Sequence, residues 1–334
     1  MKDNLKFKKS CQRIAICLYG QYRSGDYVLP YLKTLSEQTD CVVDFFCSTK
    51  EQNYYRFSRS ATVHNKDMDN IQYVDEEIIK KKIIASGINV KTINVLSNSA
   101  DEKFREAEVE RNGLFYTMAD SINLKTLYEA EHGFVYDIVL LTRYDALIGP
   151  IDMLEYLKTW YNTATTNTFE KDFSYSLMNN WLIANPLTIN QDLENPTTGF
   201  QDILTIGSSV SMDMISTELS MIMQGNLNPK ASKPILGEQF CGHSGLNYAV
   251  HSAGIGFSSD LGRIDSKTNE YVFQGSHEVV SPQYRKKGIQ YTLIRETWNI
   301  EELLKKIPFE HPMAMDFYSR KWHKDRLNPI TKSK

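Results

Sequence analysis

Short apolar runs alternate with helix-period segments through the first half of the chain. Residues 13–19, Arg-Ile-Ala-Ile-Cys-Leu-Tyr, predict a strand, and so do 41–46, 90–96 and 136–142. Between them, residues 27–38, 75–85 and 101–132 carry helical spacing, the last with a break at Asn112-Gly113. Pro30 lies near the start of the first helix, where a missing N–H costs least. Glu76 and Glu77 at one end of the second, and Lys80 to Lys82 at the other, suit the helix dipole. Gly87 and Gly133 mark helix ends. Strand–helix–strand order of this kind builds a parallel sheet covered by helices on both faces. The expected fold is α/β: one three-layer domain with a mostly parallel central sheet.

The second half is less regular. Residues 54–70 are polar and read as a loop or lid, and 163–171 as a Thr- and Asn-rich loop. Short helices are expected at 153–161 and 213–225, and a partly helical segment from 237 to 254. Segments 174–184 and 203–206 bracket a turn-rich connector at Asn195-Pro196-Thr197-Thr198-Gly199. Met214 and Met221 read as gap-filling core rather than a cofactor stripe. With no internal repeat and no clear linker, residues 1–260 are taken as the core. Residues 261–334 form a C-terminal extension packed on it, ending in a basic, mobile tail.

A chain of 334 residues with 41% hydrophobic content needs no disulfide or structural metal to fold. Its 38 Lys and Arg against 41 Asp and Glu leave a net charge of -3, which argues against nucleic acid as a partner. The N-terminal apolar stretch is too short for a signal-peptide core, and no later run has the length of a membrane span, so a cytoplasmic location is expected. Cys11, Cys17, Cys41, Cys47 and Cys241 form an odd set without a C-x-x-C pair. Cys17 and Cys47 lie in apolar runs and read as core. The repeated six-residue spacing does not match zinc-knuckle spacing.

The strand 136–142 leads into Arg143-Tyr144-Asp145. In an open α/β sheet, ligands meet the protein outside the carboxyl ends of the strands. There Asp145 can hold a divalent cation, and Arg143 can face phosphate or a neighbouring carboxylate. The plainer alternative is a surface ion pair. Gly20-Gln21-Tyr22-Arg23 follows the first strand. It lacks both the G-x-G-x-x-G dinucleotide pattern and the G-x-x-x-x-G-K-[ST] phosphate loop. Gly20 can still bring backbone close to a ligand, while Gln21 and Arg23 suit a base, ribose or phosphate. An ordinary tight turn is the competing reading.

Asn112, Tyr116, Asp120 and Asn123 share one helix face at three- and four-residue offsets. Such a stripe serves either a substrate or solvent. Asp202, ahead of 203–206, can fix a sugar hydroxyl, assist a base or form a turn. His243 and His251 are not part of an H-E-x-x-H pattern, and Ser24, Ser208 and Ser209 lie outside G-x-S-x-G.

Taken together, these segments resemble bacterial and viral glycosyltransferase-like proteins of the nucleotide-sugar GT-A type. The resemblance rests on Gly20, Gln21 and Arg23 after the first strand, on Val43-Asp44-Phe45-Phe46, and on Tyr136, Asp137, Val139, Arg143 and Asp145. Asp202, Gly207, Ser208, Ser209 and Met212 extend it, and Glu238 stands near a family acidic segment with Gly237 in place of proline. Arg143-x-Asp145 replaces the Asp-x-Asp of many such enzymes.

The resemblance implies a nucleotide-diphosphate sugar bound across the carboxyl edge of a GT-A-like core, and transfer of its sugar to a hydroxyl acceptor in glycan or polysaccharide synthesis. Asp145 would carry Mn²⁺ or Mg²⁺, and Arg143 and Arg23 would clamp phosphate. Gln21 and Asp44 would meet base and ribose, with Gly20, Asn112 and Tyr116 beside the donor. Asp202 or Glu238 would orient the sugar or take the acceptor's proton. Two other functions stay open: a sugar nucleotidyltransferase, and a non-catalytic carbohydrate-binding or assembly protein on a degenerate glycosyltransferase fold.

Overall fold

The computed structural model describes residues 11–22, 24–54, 71–97, 112–149, 153–155, 157–158, 182–184, 187–188, 199–200, 204–223, 242–253, 255–258, 263–264, 271–272 and 290–293. Of the expected lid at 54–70, Tyr54 ends a short strand and 55–70 lie outside these residues, as do the loop at 163–171 and the basic tail.

Four adjacent parallel strands form the larger part of the seven-stranded main sheet: β1 (Arg13–Tyr19), β2 (Val42–Lys50), β5 (Val90–Leu96) and β6 (Ile138–Arg143). A small hairpin of β3 (Gln52–Tyr54) and β4 (Ile71–Tyr73) stands between β2 and β5 in the chain. β7 (Ala146–Gly149) follows β6, and β8 (Leu182–Ala184), β11 (Leu204–Gly207) and β12 (Gly256–Ser258) complete the sheet. β9 (Leu187–Thr188) and β10 (Gly199–Phe200) pair with each other apart from it. The order is β12-β8-β11-β6-β1-β2-β5, with β11 antiparallel to both of its neighbours. The fold is therefore α/β with a largely parallel sheet. From the expected C-terminal extension, Gln290–Leu293 pairs antiparallel with β7, tying that stretch to the end of β6.

Alternation along β1 explains the layers. Ile14, Ile16 and Leu18 point to one face and pack with Val28, Leu29, Leu32 and Leu35 of α1 (Gly25–Ser36) and with Ile79 and Ile83 of α2 (Glu76–Ala85). Ala15, Cys17 and Tyr19 point to the other. There they meet α3 (Asn112–His132), α4 (Ser209–Met223) and α5 (Gly242–Ser252) through Phe115, Met118, Ile122, Met212, Ile215, Leu219 and Leu246. Each such fully buried Leu, Ile or Phe contributes about 1.5–3 kcal/mol.

Two helices start earlier than the sequence suggests. α1 begins at Gly25, which puts Pro30 inside the helix and removes one backbone hydrogen bond there. α4 begins at Ser209 because Ser208 caps it, its Oγ accepting from Ser211 N at 3.2 Å. Met212 is buried and Met214 packs against the core as expected, but Met221 lies exposed.

Between α3 and α4 sits a buried charged network. Lys125 is fully enclosed and donates to Glu129 Oε2 and Asp213 Oδ1, both at 2.8 Å, and to Ser209 Oγ. Ser209 also bridges to Glu129, which accepts in addition from Tyr136 N at 2.7 Å. The ion pairs and hydrogen bonds satisfy one another, so the network sets how the two helices seat.

Candidate active site

β1 and β6 run parallel with Tyr19 opposite Arg143. The turn after β1 and the turn after β6 therefore open on the same carboxyl rim. Gly20 has φ 90, a conformation that favours glycine, and its N–H donates to Thr117 Oγ1 of α3 at 3.1 Å. Tyr22 folds back beneath the start of α1. Its hydroxyl donates to Asp26 at 2.7 Å, and its ring lies 5.6 Å from that of Tyr144. A Cβ on Gly25 would stand 2.5 Å from the Tyr22 ring, so this loop closes only around glycine.

At the end of β6, Arg143 grips Asp145 with both arms. Nε donates to Oδ1 and a terminal nitrogen to Oδ2, each at 2.8 Å. Asp145 is 1% exposed, while 16% of the Arg143 side chain reaches solvent. The pair is a bidentate clamp. Both carboxylate oxygens are thus engaged by a cation, and among the described residues no group of three or more His, Cys, Asp or Glu could hold a metal ion. As placed, these donors do not fit a divalent cation at Asp145 unless Arg143 lets go.

A second polar cluster completes the rim. Ser48 and Asn94 are register partners at the ends of β2 and β5. Ser48 Oγ and Asn94 Nδ2 both donate to Asp120 Oδ2 of α3, at 2.6 and 2.8 Å. Asn94 also reaches the Tyr116 hydroxyl at 3.4 Å. Burial, with Asp120 next, holds the Tyr116 hydroxyl above its ordinary pKa. On the opposite face of β2, the buried Thr49 hydroxyl has no hydrogen-bond partner among the described residues. Sequence reasoning missed Ser48 and Asn94. The only signal was that each is a polar residue ending an apolar run.

The expected polar stripe splits. Tyr116 and Asp120 face the rim, while Asn123 accepts from Ser216 Oγ of α4 at 2.7 Å. Asn112 opens α3. Gln21 stands half-buried on the turn after Gly20. Arg23, Asp202 and Glu238 lie outside the described residues. Leu204, two positions after Asp202, pairs with Thr142 next to Arg143.

Asp44 is placed elsewhere. It sits near the start of β2, opposite Ala15, and so toward the amino rim rather than beside Gln21. There it is 1% exposed and accepts from the Tyr136 hydroxyl and Asn89 Nδ2, both at 2.6 Å, with Lys91 at 3.2 Å. Asp137 is at the same rim and accepts from the backbone N–H groups of Gln12 and Arg13. The two acids bind the amino ends of the strands together. Asp44 and Gln21, both expected beside base and ribose, thus stand toward opposite ends of the strands.

Among solved structures, the chain is similar to a galactosyltransferase, LgtC, determined in complex with donor and acceptor sugar analogs. The match has a TM-score of 0.33 and 11% identity, and covers 74% of this chain and 73% of that one. A likeness of that size carries no functional weight. No family model matches the chain, and the search of curated proteins finds no match. Among the described residues, no helix is long and apolar enough to cross a membrane.

Proposed function

We propose that this protein is a glycosyltransferase that takes a sugar from a nucleotide-diphosphate donor and passes it to a hydroxyl acceptor. The observation that carries the reading is the Tyr19–Arg143 register, which sets a glycine turn and the partly exposed Arg143 side by side on the carboxyl rim. In an α/β sheet, that rim is where nucleotides bind. The sequence resemblance to nucleotide-sugar enzymes uses the same two segments.

In this reading, Gly20 lets the donor approach backbone, and Gln21 and Tyr116 meet base and ribose. Arg143, with Arg23, offsets the charge of the departing nucleotide diphosphate. Asp202 or Glu238 orients the sugar or accepts the acceptor's proton. Asp145 aims Arg143, and it becomes a metal ligand only if donor binding frees its carboxylate.

A second reading has one observation in its favour. The closed Arg143–Asp145 pair suits a carbohydrate-binding or assembly protein that keeps the fold without transfer.

Thermal-shift titration with UDP-, GDP-, CMP- and dTDP-linked sugars, with and without Mn²⁺, tests both. Transfer requires stabilisation by one donor, followed by nucleotide release with an acceptor. Stabilisation by a glycan and by none of the nucleotide sugars would leave the second reading standing.

A further inference from the structure

Cys11 and Cys41 are 30 positions apart, and so are Cys17 and Cys47. Only the first pair meets. β1 and β2 pair with an offset of 29, Ile14 opposite Val43, so Cys47 stands opposite Leu18. Adjacent strand residues face opposite sides. Cys17 therefore packs beneath α3, and Cys47 packs on the α1 face. Cys11 precedes β1 and escapes that parity. Its Sγ lies 3.8 Å from Cys41 Sγ, and both residues are buried.

The two thiols are unequal. Cys41 Sγ donates to Cys11 Sγ and, at 3.5 Å, to the Cys11 carbonyl. The contact with Cys11 pulls the Cys41 thiol down to about 7; burial and Asp40 oppose this, while the Thr39 hydroxyl and Lys158 ammonium assist it. Cys11 moves up, through that same hydrogen bond, burial, and the nearby charges of Cys41 and Asp137. Cys47 is pushed up to about 12 by burial, and Cys17 also rises by burial. A reactive thiolate beside a resolving thiol is the arrangement that oxidises to a disulfide.

We propose that Cys11 and Cys41 form an oxidative modification site, a dithiol that hydrogen peroxide converts to an intramolecular disulfide. The Cys41 thiolate attacks one peroxide oxygen and the O–O bond breaks. Hydroxide leaves, takes up a proton as water, and Cys41 becomes a sulfenic acid. Cys11 sulfur then attacks Cys41 sulfur and the S–O bond breaks. The second hydroxide leaves as water with the Cys11 proton. Two thiols lose two electrons, and peroxide is reduced to two waters. The sulfurs close from 3.8 Å to about 2.05 Å, and Cys11, outside the strand ladder, is placed to make that movement.

The reduced full chain is treated with peroxide, quenched, denatured, alkylated and mapped without reduction. The expected product is a peptide pair joined through Cys11 and Cys41 that dithiothreitol separates, with Cys17 and Cys47 alkylated. In a Cys11→Ser chain, oxidation stops at a Cys41 sulfenic acid that dimedone traps. Recovery of Cys11 and Cys41 as separate alkylated peptides from the peroxide-treated wild type overturns the proposal, and so does equal oxidation of Cys47. The wild-type map decides on its own if the variant does not fold. The site lies at the amino ends of β1 and β2, away from the rim of Gly20 and Arg143, so its failure leaves the transferase reading intact.

Discussion

Arg143 holds both oxygens of Asp145 from two residues away, an acid almost wholly enclosed and a base that still meets solvent. Asp145→Asn removes the charge and one acceptor while leaving the guanidinium partly buried. Breaking a buried pair on one side costs about 3–5 kcal/mol, and the solvent contact of Arg143 brings the expected loss to roughly 2–3 kcal/mol. Urea unfolding measures it. A loss within error of zero would mean that the pair contributes nothing net.

Lys125 gives the second prediction. Lys125→Met leaves Glu129 and Asp213 facing each other without the cation between them. The expected destabilisation is about 3–5 kcal/mol, since one member of a buried ionic set has gone. Combining it with Glu129→Gln and Asp213→Asn should recover part of that loss. Chemical denaturation of the single and triple variants compares them.

Tyr136→Phe separates the amino rim from the carboxyl rim. It removes the hydroxyl that donates to the buried Asp44 carboxylate, at a cost of about 2 kcal/mol. Affinity for whichever nucleotide sugar stabilises the wild type is expected to stay unchanged. A tenfold weaker donor affinity in this variant would return Asp44 to the site.

Gly25→Ala tests the turn. The added methyl group meets the Tyr22 ring, which must leave its place beneath α1 and against Tyr144. Loss of stability by about 1–3 kcal/mol is expected, as for other overpacked sites. Gly20→Ala meets no neighbour among the described residues and should cost only its backbone strain, about 1 kcal/mol. Thermal melts of the two variants rank them.

Alkaline pH should unfold the chain more readily than its composition suggests. Cys47 has a folded pKa raised from 9.0 to about 12, and Cys17 and Cys11 are also raised. These groups stay protonated in the fold while the unfolded chain ionises. Their stabilisation is therefore complete below pH 9 and is lost as pH climbs from 9 toward 12. Cys41 acts in the opposite direction below that window, adding stability between pH 7 and 9. Buried Tyr22, Tyr31, Tyr136 and Tyr144 steepen the alkaline loss above 10. Urea midpoints across pH 7–11 follow the curve, and Cys47→Val should flatten its alkaline limb.

Particular elements show why some of this was readable. β1 and β5 begin and end as their apolar runs predict, because each run is bounded by polar residues or a turn. β2 runs on to Lys50, beyond its apolar residues, because Ser48 and Thr49 still find ladder partners on β5. β7 was missed because its partner, Gln290–Leu293, lies far along the chain. Of the candidate site, the Gly20 turn and Arg143 were legible as polar residues following buried strands. The bond from Gly20 to Thr117 and the Ser48–Asn94–Asp120 cluster were not, since each joins elements distant in sequence.

Local patterning determined the alternating strands and helices of the first half of the chain and the parallel part of the sheet. These follow from side-chain periodicity and short-range turn chemistry. Tertiary structure alone decided that Asp44 faces the amino rim, that β11 runs antiparallel beside β6, and that Cys11 meets Cys41 while Cys17 and Cys47 part. Strand order and register settle those matters, and they depend on contacts between segments whose separation along the chain leaves no periodic trace.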